Sequence, residues 1–352
     1  MSGQKQDHSA FFSVRTAAIS LALCMGGAAA NAAPVTFSHK DWDLRCDNTL
    51  TCRAAGYAAD GEELGSTVLL TRKAGSGESV ANRVMLAHYD DPEWPKDSLP
   101  ELVIAGRKAG SLSVAGDESW QMSEAQLAQF LAALKKDAVI SFRGNGNTYA
   151  FSGSGSSAVL LKMDDVQGRV NTPGAILRKG KGSESTVKAP IAAPVINRAP
   201  VVDKSLRPMT AQEDALIRPV LLKVLAADEE QSCSADMLSE PWEIARLNQQ
   251  FSLVGAPCWL AAYNGGAAYF VINNNMQSAP VLVSTSATDY DNGMISSSMK
   301  GRGLGDCWSY EASVWDGTDF VESERGDTGR CALIRAGGAW NIPEHVSQVV
   351  GP

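Results

Sequence analysis

Histidine is scarce in this chain, with four in 352 residues, at positions 8, 39, 88 and 345. None stands close to a cysteine pair, and no C-x2-C occurs, so the usual zinc spacings are missing. Basic charge is also short. Lys and Arg number 31 against 39 Asp and Glu, a formal net charge of −8. A nucleic-acid surface needs a basic stripe and anionic lipid attracts cations, so neither is expected as a partner. No apolar run after the N-terminal one is long enough to span a bilayer, so no transmembrane segment is expected in the mature chain.

Catalytic and phosphate-binding signatures are missing too. No serine sits in G-x-S-x-G. Lys181 lies between glycines but lacks the G-x4-G-K-[ST] spacing. Gly153-Ser154-Gly155-Ser156-Ser157-Ala158 matches G-x-G-x-x-A, yet no acidic residue closes a second strand about twenty residues on. Its plain reading is a flexible turn with a serine helix cap. Asp289-x-Asp291-Asn292-Gly293 opens like a calcium loop, but the twelfth position, which needs glutamate, is Lys300. A hairpin turn is expected there instead. No catalytic residue, cofactor or metal ligand is assigned on these grounds. Asp90-Asp91, Asp164-Asp165 and Glu322/Glu324 could supply the two carboxylates of a glycoside hydrolase, although a chain with 39 acids makes such pairs freely.

What the chain does have points outward from the cytoplasm. Residues 1–32 read as a signal peptide: Lys5 and Arg15 flank an apolar core at Ala17–Leu23, and Ala30-Asn31-Ala32 fits the small-x-small cleavage pattern. Leu23 before Cys24 departs from the small residue that precedes a lipidated cysteine. Removing the signal leaves Cys46, Cys52, Cys233, Cys258, Cys307 and Cys331. An even count in an exported chain favours disulfides, and nearest neighbours are the expected pairs. The expected address is periplasmic or secreted.

Hydrophobic residues make up 44% and charged residues 20%, as in a globular protein long enough for two domains. The expected division is 33–181, a β-rich domain with a helix; 182–207, a proline-bearing linker; and 208–352, a domain of β-hairpins. Ser123/Gln126 and Thr210/Glu213 are capping boxes that start helices, and Ser156–Val166 reads as another. Cys258-Trp259 and Cys307-Trp308 each look like the start of a strand that turns and returns. The clearest hairpin runs from Cys307 to Cys331, with Asp316-Gly317 at its tip. The fold class expected is mainly β (α+β), with antiparallel sheets and disulfide-stapled hairpins. Strand alternation puts Trp308 and Tyr310 on one face of that hairpin and Trp315 on the other, and these three form the candidate binding patch.

The pattern Trp42-x-x-x-Cys46-Asp47-Asn48, Cys52-Arg53-Ala54-Ala55-Gly56-Tyr57, Leu160-Leu161-Lys162-Met163-Asp164-Asp165 to Arg169, Cys258-Trp259 and Cys307-Trp308 resembles domain-of-unknown-function family 1176, exported proteins of Gram-negative bacteria. The first half is also similar to the invasion-associated locus B proteins. These resemblances imply a periplasmic address and a β-rich domain, and carry no catalytic residues. The function expected is non-enzymatic binding of an envelope or extracellular macromolecule. The alternatives are a lysozyme-inhibitor-like protein, on the Ser152–Gly155 loop, and an envelope hydrolase using a carboxylate pair.

Overall fold

In the opening hairpin, Trp42, Leu44 and Cys46 alternate inward with Asp43 and Arg45, as a half-buried strand requires. That strand pairs with Cys52–Tyr57 in the register Trp42↔Gly56 through Cys46↔Cys52. The first disulfide therefore joins residues directly opposite one another. Asp47 builds the turn between them. Its Oδ1 accepts the amides of Thr49 at 2.9 Å and Thr51 at 3.2 Å, while Oδ2 takes Arg53 Nη1 at 2.7 Å. Asn48 is buried beside it and clasps the far end of the chain: its Nδ2 donates to the carbonyl of Val346, and the Val346 amide donates to its Oδ1, both at 2.9 Å. Gly56 makes room for the tryptophan opposite, since a Cβ there would lie 2.4 Å from the Trp42 ring.

The computed structural model describes residues 32–62, 64–87, 98–116, 118–227 and 233–351. Residues 1–31, where a signal peptide is expected, His88 and Asp90-Asp91 lie outside the described residues. Over the rest the protein is mainly β, with several antiparallel sheets, four α-helices among the described residues, and the three nearest-neighbour disulfides Cys46–Cys52, Cys233–Cys258 and Cys307–Cys331.

The first half sets a seven-stranded sheet, which contains the opening hairpin, against a four-stranded one centred on Ile140–Gly144 and Glu101–Ile104. The helices Glu124–Leu134 and Ser156–Val166 share their core, where Trp42, Phe130, Phe142 and Phe151 meet. Ser123 and Gln126 form the reciprocal cap expected of them. The second helix departs from expectation. Its N-cap is Gly155, at φ 93° and with no side-chain cap, while Ser156 is already helical. The glycine is needed because the backbone turns left-handed there and a Cβ would strike the His39 carbonyl at 2.0 Å.

The second half contains two five-stranded sheets. The helix Ala211–Ala227 starts on the reciprocal Thr210/Glu213 bonds and carries Pro219 inside it. With Trp242 it covers one face of the first sheet; Tyr290, Ile295 and Trp315 cover the other. One expectation needs correction. Cys258-Trp259 stands near the end of the long strand Phe251–Leu260 rather than opening one, because Pro257 is absorbed at a register shift and does not break it. The Asn292-Gly293 turn is a hairpin turn as expected, joining the short strand Asp289–Asp291 to Met294–Lys300 in the second sheet, while the strand Val281–Ala287 belongs to the first.

Residues 182–207 run along both halves. Val195–Asn197 pairs in parallel with Gln348–Val350, and backbone bonds join Ile191 to Thr49, Ala199 to Trp315 and Val202 to Leu247. A shared apolar cluster of Tyr57, Met85, Ile334, Trp340 and Ile342 fills the space where the halves meet.

Candidate functional site

The surface above that shared cluster is hollowed into a groove. A hollow of about 280 Å³ lies between the opening hairpin and the Cys307 hairpin. A second, of about 330 Å³, continues it past Tyr57, Arg330 and Cys331. A third, of about 270 Å³, continues it the other way past Ser309 and Asp327.

Strand alternation supplies the groove's charges. Asp43 and Arg45 are the outward residues of the opening strand, so burying Trp42, Leu44 and Cys46 turns both of them towards the second half. Arg330 meets Asp43 as a two-pronged pair, with Nε to Oδ2 at 2.6 Å and Nη2 to Oδ1 at 2.8 Å, and Nη2 also reaches the Lys40 carbonyl at 2.6 Å. The Arg330 guanidinium lies 5.4 Å from the Tyr57 ring centre, and its own amide donates to the Tyr57 hydroxyl at 3.1 Å. Arg45 Nε lies 3.1 Å from Glu344 and 3.3 Å from Asp327, close enough for charge attraction but without an aligned hydrogen bond. Arg325 then bridges Glu344 at 3.1 Å and Glu322 at 2.7 Å. The result is a ladder of alternating sign along the groove.

The carboxyl groups respond in opposite senses. Burial pushes Asp43 up, but the hydrogen bonds from Arg330 and Ser38 outweigh it and hold the group below the ordinary carboxylate range. Burial raises Asp327, and the Gly329 amide and Arg45 only partly offset it. Burial likewise drives the Tyr57 hydroxyl well above its usual value. Tyr310 is pushed up to about 12 by burial, with Glu324 adding to it.

Trp308 and Tyr310 both stand half-buried along this groove, Trp308 in the central hollow and Tyr310 in the third. The Trp308 indole donates to the Gly305 carbonyl at 2.9 Å, and Lys300 Nζ lies 5.4 Å from its ring centre. Trp315 does not join them. Its ring is fully buried, 5.9 Å from Phe251 and 5.3 Å from Phe320, because that face of the hairpin closes the core of the neighbouring sheet. The Cys307–Cys331 disulfide forms part of the groove wall. Asp306 lies near both sulfurs, with donor atoms within 4.8 Å, but the sulfurs are bonded to each other and Asp306 is held by Arg302.

The other sequence candidates lie elsewhere. Asp164 is fully buried, accepting the amides of Ile176 at 2.8 Å and Leu177 at 3.1 Å, with Arg72 at 3.6 Å. Arg169, also fully buried, donates to the carbonyls of Lys73 and Gly75. Asp164 and Arg169 thus fasten the segment after the second helix to the first sheet. Ser152 of the serine/glycine loop bonds Asp41, and its carbonyl accepts Trp42 Nε1 at 3.0 Å. Asp43, Arg45, Asp327, Arg330 and Glu344 were not singled out in the sequence.

A mainly β, disulfide-stapled protein with a charged, aromatic-walled groove between its halves is thus defined. The chain belongs to the DUF1176 family of proteins of unknown function, whose family model matches residues 36–347. No curated protein and no solved structure matches it.

Proposed function

We propose that this is an exported envelope protein that holds an extended polar macromolecule in the groove, without changing it chemically. The observation supporting this is the juxtaposition of Trp308 and Tyr310 with the Asp43–Arg330 and Arg45–Glu344 pairs on a surface braced by two disulfides. Every arginine in the central hollow already faces a carboxylate: Arg45 meets Asp327 and Glu344, Arg53 meets Asp47, and Arg330 meets Asp43. A ligand would therefore meet fixed donors and acceptors rather than a net charge, which suits polar recognition beside an aromatic wall. Recovery of a specific macromolecule from periplasmic extract by the purified protein, lost with Trp308→Ala, is the expected result. Equal recovery by the variant, or no recovery at all, counts against the reading.

One observation favours an envelope hydrolase as a second reading. Asp43 and Asp327 approach the same hollow from different halves, and their surroundings push their pKa values apart, the pattern expected of an acid and its ionised partner. Release of soluble fragments from purified cell wall, abolished in Asp327→Asn, would support it; unchanged wall turbidity with the wild-type protein would remove it.

A further inference from the structure

We infer that Cys331 is a site of thiol–disulfide exchange, at which a dithiol reductant opens the Cys307–Cys331 bond while the protein stays folded. Exchange needs a thiolate to reach one of the two sulfurs, so access separates labile bridges from inert ones. Of the three disulfides, this one alone has an exposed half. Cys331 is exposed, whereas Cys46, Cys52 and Cys258 are at most 1% exposed and Cys233 is half-buried. Cys331 also borders two hollows of the groove, the central one and the one beside it. Its partner is covered. Cys307 is 3% exposed, and the Gly301 backbone lies so close that a Cβ there would come within 2.6 Å of the Cys307 sulfur.

The attack therefore falls on the Cys331 sulfur. One thiolate of the reductant bonds to it, the S–S bond breaks, and its electron pair leaves on Cys307, which takes a proton from water. The second thiolate of the reductant then attacks the reductant's own sulfur in the mixed disulfide and releases Cys331, which is protonated in turn. Two electrons pass to the protein, and the dithiol becomes a disulfide. The fold has reasons to survive this. Residues 328–341 form no helix or strand, but they are pinned at other points. Ile334 and Trp340 are buried in the cluster between the halves, the Leu333 amide donates to Asp306 at 2.8 Å, and Arg330 pairs with Asp43. Opening the bridge loosens the stretch beside Arg330 and leaves those anchors in place. The site does not depend on what the groove holds.

The test holds the purified, folded protein in about 1 mM dithiothreitol at neutral pH, with alkylation at intervals and peptide mass spectrometry. Cys307 and Cys331 should be labelled at least about tenfold faster than the other four paired cysteines, with the β-sheet circular dichroism retained. Two single variants locate the attack. The Cys331 thiol left by Cys307→Ser should react with a chromogenic aromatic disulfide at least about tenfold faster than the Cys307 thiol left by Cys331→Ser. The inference is overturned by a Cys307–Cys331 bond that stays closed, by another bridge opening as fast, by loss of the sheet signal along with the bond, or by equal reactivity of the two thiols.

Discussion

The two halves hold themselves together differently. The first half, to about residue 181, packs two sheets and two helices around one continuous core, in which Trp42, Phe130 and Phe142 are fully buried. Its disulfide spans six residues and closes a turn that Asp47 already organises. The second half divides its apolar residues between two clusters, one on each face of the sheet Phe251–Leu260 belongs to. Its disulfides span 25 and 24 residues. Where one core is large, a cross-link is local; where the core is split, cross-links tie down long loops. The difference follows from apolar burial being non-directional, while a disulfide acts through the entropy of the loop it closes.

The largest test of this contrast compares two buried rings. Phe130→Ala and Phe270→Ala each remove a fully buried phenyl, a loss of about 3–5 kcal/mol. The cluster of Tyr57, Met85, Ile334 and Trp340 is common to both halves, so each variant should lower one shared transition in calorimetry. Two separate transitions, each sensitive to one variant, would show instead that the halves unfold as independent domains.

The next effect separates the disulfides. Loop-entropy arithmetic gives about 3.5 kcal/mol for the Cys307–Cys331 bond and about 2 kcal/mol for Cys46–Cys52. The double variant Cys307→Ser/Cys331→Ser should therefore lose more in urea unfolding than Cys46→Ser/Cys52→Ser. The reverse order would mean that the opening turn depends on its sulfur bridge more than on Asp47.

The smallest effect concerns the surface of the second half. The Arg207 side chain hydrogen-bonds Glu213, and the Thr210 amide adds a bond, so the Glu213 pKa falls to about 2 from an ordinary 4.5. A lowered carboxyl pKa stabilises the fold above the unfolded value and loses that contribution as pH falls through the folded one. Glu213→Gln should thus cost less than about 1 kcal/mol at neutral pH, with the difference shrinking between pH 4.5 and about 2. A difference that is constant with pH would assign the effect to the helix cap alone.

What the sequence revealed was local. The Ser123/Gln126 and Thr210/Glu213 caps, the Asp316-Gly317 turn and the pairing of neighbouring cysteines each depend on residues close along the chain. The groove depends on contacts that are not. Asp43 and Arg330 are 287 positions apart, and neither stands in a pattern that marks it. Alternation put Trp308 and Trp315 on opposite faces, yet which face would be covered was decided by a sheet built from residues 243–287. The family pattern follows the same division. Trp42, Asp47, Gly56, Asp164 and Arg169 have structural work that explains them, and Arg53 bonds Asp47 while also bordering the groove.

The clasp between Asn48 and Val346 sets the order of synthesis against the order of completion. A ribosome makes the Asp47 turn some three hundred residues before the strand that meets the Asn48 amide. In the complete chain Asn48 is buried with both its donor and its acceptor met by Val346, and an unmet amide in that place would be costly away from water. The hairpin Trp42–Tyr57 is thus finished by the strand Ile342–Val346, and a chain cut short before Val346 would leave the Asp47 turn unsealed.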